Sequence, residues 1–182
     1  APDILCIAKG LGAGYQPIGA MLCTNKIYAA IENGSGFFQH GHTYLGHPVA
    51  TAAALAVVTE LTTRDLPKRA KEMGDKVQSA LEARFGQHPN VGDIRGRGLF
   101  RGLELVADRE TKAPFDPTLG IAGKLKKAAF AEGLICYPMS GTRDGKNGDH
   151  VLLSPPFILN DEQMDELVEK LSTALEKALI VS

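Results

Sequence analysis

Hydrophobic positions fall into two patterns along the chain. In the first third the apolar residues come in short runs separated by glycine. Ile4–Ile7 reads as a buried strand, residues 19–23 as a second strand, and the glycines at 10, 12, 14 and 19 forbid a stable helix between them. Asn25 is placed to cap a short helix through Ile31. Residues 34–48, GSGFFQHGHTYLGHP, form a long loop rich in Gly, His and aromatics, the kind held in a compact protein for binding. Pro48 then opens a helix through about Leu61. It is apolar nearly all round, which predicts burial on most sides.

After residue 64 the period changes. Asp65 is a plausible cap for a helix whose apolar residues Ala70, Met73, Val77, Leu81 and Phe85 recur at steps of three and four. Leu99, Leu103, Leu105 and Val106 suggest strands broken by Gly96, Gly98 and Gly102. A helix over about 119–132, a strand around Ile135 and another over 151–153 follow. Asn160 or Asp161 caps a final helix with Met164, Leu167, Leu171 and Leu175 as its stripe. This order predicts a small sheet with helices over one face.

Charge sharpens the same division. Before Arg64 the carboxylates are Asp3, Glu32 and Glu60 alone, whereas beyond it charge is dense and periodic. The first part should therefore have most of its surface covered by something else, leaving apolar surface exposed over residues 1–60 of this chain alone, and the second should be a self-sufficient layer. The whole chain, 182 residues with a formal net charge of -1, has no global field for nucleic acid or an anionic membrane. The basic stretches at 68–71 and 124–127 read as exposed helix faces. No apolar run reaches 18 residues, and the first ten residues lack a secretory signal pattern, so a soluble, cytoplasmic protein is expected. Cys6, Cys23 and Cys136 have no metal-ligand spacing and read as buried free thiols.

Two features carry candidate chemistry. Lys9 interrupts the apolar pattern at the carboxyl end of the first strand, where α/β proteins place ligands, and a partly desolvated amine there can attack a carbonyl. The plainer reading is a lysine reaching solvent from a loop. The second feature is QHGHTYLGHP, in which Thr43 and free backbone N–H groups precede a helix start and can receive a phosphate. His40, His42 and His47 are open to three readings: hydrogen bonding within the loop, contact with substrate or cofactor, and a metal. No carboxylate or cysteine lies near enough in sequence to favour the metal. GLGAGY is not a dinucleotide loop, because Gln16 and Pro17 stand where the helix should begin.

PDILCIAKGLGAGYQPIGAMLC, HGHTYLGHPVATAAALAVV, GDIRGRGLFRGLELV and LLSPPFILNDEQMDEL, in that order, resemble the carboxy-terminal part of a class III pyridoxal-phosphate-dependent aminotransferase, in the omega-amino-acid and amine:pyruvate branch. The resemblance implies an α/β protein of PLP-dependent transferase fold type I. Residues 1–62 would be the end of its large cofactor-binding domain and 63–182 its small α+β domain. It also implies that Lys9 is the catalytic lysine joined to the cofactor, that Thr43 holds the cofactor phosphate of a neighbouring subunit in a homodimer, and that His42 lies at the cofactor. No metal is implied. The family's aspartate for the pyridine nitrogen lies upstream of this chain, so the 182 residues are expected to be inactive without the missing amino-terminal part. A small-molecule amine and a keto acid such as pyruvate would be the substrates. Tyr15 is a candidate pocket residue. Arg143 is a candidate carboxylate partner, or else an ordinary polar loop residue. Arg95, Arg97 and Arg101 are expected to structure the second part. A related class III racemase or aminomutase, and a noncatalytic interaction module, are the alternatives.

Overall fold

The computed structural model describes residues 1–180, which divide into two compact units, one over residues 1–66 and the other starting at Pro67. In the first, strand β1 (Ile4–Ile7) pairs antiparallel with β2 (Ala20–Cys23), Ile4 opposite Cys23 and Ile7 opposite Ala20. Helix α1 (Asn25–Asn33) follows, then the loop through His47, then α2 (Pro48–Thr63). The cap of α1 is Thr24, not Asn25: the Thr24 carbonyl accepts the Ile27 and Tyr28 N–H groups at 3.0 and 3.1 Å.

This unit leaves apolar surface bare, as expected of a part that something else covers, whereas the burial expected of its two strands and of α2 is not met within the unit itself. Ile4, Leu5, Met21 and Leu22 are exposed, and of α2 only Ala50 and Ala54 are buried. A two-stranded ribbon with two short helices cannot close over both its faces, so an all-round apolar helix keeps much of its surface bare. The cysteines follow suit. Cys6 and Cys23, on the ribbon, are exposed, and Cys136 is half-buried, its thiol pushed up by burial; all three are free.

The second unit closes a core. Strands β3 (Val91–Arg97), β4 (Phe100–Leu105), β5 (Tyr137–Ser140) and β6 (Asp149–Leu153) form an antiparallel sheet in the order β3-β4-β6-β5. Period-2 alternation sends Leu103 and Leu105 of β4, and Val151 and Leu153 of β6, to one face, with Leu103 directly opposite Val151. Against that face lie α3 (Leu66–Phe85), α4 (Ile121–Ala131) and α5 (Asp161–Leu179). Their stripes meet there: Val77, Leu81 and Phe85 of α3, Leu125 of α4, and Leu171 and Leu175 of α5 are all essentially inaccessible to water. Asn160 caps α5 in a reciprocal box: its side chain accepts the Gln163 N–H at 2.8 Å and its own N–H donates to the Gln163 side chain at 3.1 Å.

Three local expectations give way. Gly96 and Gly102 do not break strands; they lie within β3 and β4, paired in register, and the hairpin turns at Gly98-Leu99. Ile135 is exposed and outside any strand, since β5 starts at Tyr137. Asp65, expected to cap α3, has a left-handed backbone, φ 47°, between α2 and α3, and none of the side-chain hydrogen bonds among the described residues comes from it. Arg101 is buried in the layer, its Nη2 donating to the Gly74 carbonyl at 2.8 Å, and Arg95 pairs with Asp93 and Glu104.

Gly74 sits inside α3 because the helix backbone meets the β3–β4 turn there: a Cβ would stand 2.1 Å from the Gly98 carbonyl oxygen. Alanine should therefore fail at this helical position despite an advantage of about 1 kcal/mol in helix propensity. Gly74→Ala is expected to destabilise the protein by about 1–3 kcal/mol net in urea unfolding, through overpacking against rigid backbone; unchanged or raised stability would contradict the contact.

Candidate active site

Lys9 follows β1 directly and starts a short 3-10 turn over Lys9–Leu11. The turn closes through the Leu11 N–H to the Ala8 carbonyl and the Gly12 N–H to the Lys9 carbonyl, each at 3.1 Å. Lys9 itself has φ 54°, the left-handed region in which an L side chain is strained by about 1–2 kcal/mol. Strain of this kind collects where a side chain must be aimed. The ion pairs among the described residues all join other side chains, so the Lys9 amine is uncommitted. Space beside it is open, for a Cβ built at Gly10 meets nothing within 4 Å.

The glycine-rich loop doubles back tightly. At Gly12 a Cβ would come within 2.6 Å of the Gln16 carbonyl oxygen and 2.8 Å of the Ile18 side chain. Tyr15 lies on the same loop, its N–H donating to the Gly12 carbonyl at 2.9 Å, with the ring exposed. The Lys9 turn packs against α2, and the segment that enters α2 carries His42 and Thr43, both exposed. The His42 ring meets His40 edge-on at 5.1 Å between centroids. No group of three metal-ligating side chains exists among the described residues, and none of their helices is long and apolar enough to cross a membrane.

Within residues 1–66 the structure thus puts Lys9 and Tyr15 on one loop, and the Lys9 turn against the helix that Thr43 and His42 lead into. Arg143 belongs to the other unit. It lies in the β5–β6 loop at the rim of a groove of about 560 Å³ on the helix-free face of the sheet, beside Phe100, Glu104, His150 and Leu152. Burial, followed by the charge of Arg95, holds His150 below its ordinary pKa. The loop is ordered by its own bonds: the Arg143 N–H donates to the Asn147 carbonyl at 2.9 Å, and Asp144 accepts from the Lys146 and Asn147 N–H groups and from the Asn147 side chain at 2.7–2.9 Å. Those bonds, the Asn147 side chain first, hold the Asp144 carboxyl at about 2.

For one histidine of the loop the structure selects hydrogen bonding within the loop among the three readings. His47 is the cap of α2, its side chain accepting the Ala50 N–H. The signal was there in the His-Pro pair, since proline favours the first helical position and the residue before it must then be the cap.

A family model described as aminotransferase class-III matches residues 1–175. An aminotransferase of Schizosaccharomyces pombe is 48% identical over 174 residues, 96% of this chain and 38% of that protein. Among solved structures, a transaminase from the marine bacterium Virgibacillus aligns with a TM-score of 0.90 at 35% identity, over 98% of this chain and 40% of that one. An (S)-enantioselective omega-transaminase from Thermomicrobium roseum aligns with a TM-score of 0.89 at 32% identity, over 98% and 38% respectively. The chain belongs to the class-III aminotransferase family and has its mixed α/β architecture; it spans about two fifths of the length of these relatives.

The Asp144 bonds give a pH prediction. Its pKa is depressed in the folded loop, so its contribution is present above the ordinary carboxylate value of 3.8 and is lost as pH falls through about 2. Hydrogen exchange in residues 141–148 should quicken across that acid range in the native protein and be pH-independent, after correction for intrinsic rates, in Asp144→Ala. Parallel behaviour of the two proteins would rule out Asp144 as the loop's anchor.

Proposed function

We propose that the full-length protein is a pyridoxal-phosphate-dependent transaminase that moves an amino group from an amine or omega-amino acid to a keto acid such as pyruvate, with Lys9 as its catalytic base. The observation that carries this reading is the uncommitted Lys9 amine on a strained residue immediately after β1. The donor set suits the cofactor: a primary amine for its aldehyde, and the Thr43 hydroxyl ahead of the 16-residue helix α2 for its phosphate. Residues 1–62 are assigned to the cofactor-binding domain and 63–182 to the small domain. The protein is proposed to be a cytoplasmic homodimer in which Thr43 and His42 serve the cofactor of the neighbouring subunit. The 182 residues alone are proposed to be inactive, the bare apolar faces of the β1–β2 ribbon and α2 being surfaces for the rest of the enzyme and its partner.

Pyridoxal phosphate, when bound, supplies the electron sink that acidifies the substrate's Cα–H. The side chains do the rest. Lys9 Nζ, neutral when it acts, takes the Cα proton and holds it for return, which requires the amine within about 3 Å of that carbon. The same nitrogen serves both half-reactions. Tyr15 lines the substrate pocket. Arg143, presented by its ordered loop, binds a keto-acid carboxylate through both guanidinium nitrogens.

Replacing Lys9 with Ala keeps the β-carbon, and with it the backbone conformation, while removing the amine. In the full-length protein Lys9→Ala should lower amino transfer by at least about 10²–10⁴-fold with the melting temperature held. Retained turnover would exclude Lys9 as the base. Arg143→Ala should cut kcat/KM for keto acids by about 10–100-fold while sparing amines without a carboxylate, as expected for one charge-assisted pair; equal losses would make Arg143 structural.

A further inference from the structure

His47 closes the segment that leads into α2. Its Nδ1 accepts the Ala50 N–H at 3.4 Å, with Pro48 at the first helical position. Its backbone is used on both sides: the His47 N–H donates to the Tyr44 carbonyl at 3.1 Å, and the His47 carbonyl accepts the Thr51 N–H at 3.0 Å and the Thr51 hydroxyl at 3.1 Å. The Leu45 N–H donates to the His42 carbonyl at 2.9 Å, so consecutive turns run from His42 into α2 with Thr43 inside the first. The Tyr44 ring lies 6.0 Å from the imidazole.

Asn, Asp and Ser are the commoner caps. A histidine can accept at Nδ1 only when that nitrogen is unprotonated, which puts the proton of the neutral ring on Nε2. An imidazole therefore caps without charge, whereas aspartate would set a full negative charge at the helix end where an anion is to sit. We propose that His47, neutral and in the Nε2–H tautomer, is a positioning residue: by capping α2 it holds the 42–46 turn so that Thr43 meets the cofactor phosphate. This rests on the reading of Thr43 as a phosphate ligand. A segment only fractionally in the competent geometry weakens apparent binding by that fraction, so the cap acts on cofactor affinity.

The test uses the full-length protein, with the dissociation constant of pyridoxal phosphate and hydrogen exchange over residues 44–54 as readouts. His47→Ala should weaken the cofactor about fivefold, about 1 kcal/mol at 1.4 kcal/mol per tenfold, and quicken exchange. His47→Asn, an uncharged cap, should restore both. His47→Asp should restore slow exchange yet leave binding weak, a split that a purely structural role would not produce. The proposal is overturned if His47→Ala leaves affinity and exchange unchanged, or if Asn fails to rescue while Thr43→Ala weakens binding. No effect of Thr43→Ala would instead bring down the phosphate reading, and this proposal with it.

Discussion

The pairing of β1 with β2 is the constraint on which the site depends. By fixing Ile7 opposite Ala20 it closes the twelve-residue segment 8–19 into a loop that must start and finish on adjacent strands. Such a loop has to reverse within a few residues, and the left-handed backbone at Lys9, Ala13 and Gly14 accomplishes that. Lys9 is thereby held at the end of a strand in a conformation its side chain does not favour. A glycine would relax the turn; a lysine there costs local stability.

The two units solve opposite problems. Residues 67–180 bury a complete stripe from each of three helices against alternate residues of a four-stranded sheet, and the buried Arg101 reaches the Gly74 carbonyl through Nη2 while its Nε is left without a partner among the described residues. Residues 1–66 bury little and hold their shape through ladder and turn bonds. Its apolar ribbon and helix remain bare while its loops are tightly bonded, the surfaces that the proposed function gives to the rest of the enzyme.

Much of this was legible in the residues, because amphipathic periods report directly on burial. The α3 and α5 stripes, both strands of the ribbon and the opening of α2 at Pro48 follow from spacing alone. In the first unit hydrophobicity tells what a residue needs and not what supplies the cover, which is why the apolar pattern of β1, β2 and α2 goes with exposed apolar surface on this chain. In a one-dimensional pattern Gly96 and Gly102 look like breakers because close approach does not show there: a Cβ at Gly96 would lie 2.1 Å from the Phe100 carbonyl oxygen, so glycine keeps the hairpin intact. The strain at Lys9 is a conformational fact with no signature in the sequence, whereas the cap at His47 is foreshadowed by the proline that follows it. The family resemblance directed attention to Lys9 and Thr43; the backbone geometry explains how a lysine is presented there.

The central claim, that Lys9 is the residue joined to the cofactor, is tested most directly by borohydride reduction of the full-length protein loaded with pyridoxal phosphate. Reduction turns the lysine–cofactor bond into a stable secondary amine, and peptide mass mapping then locates it. The account predicts a pyridoxyl group on the peptide containing Lys9, in stoichiometric yield. Labelling of another lysine, or of none, would contradict it even with the fold unchanged.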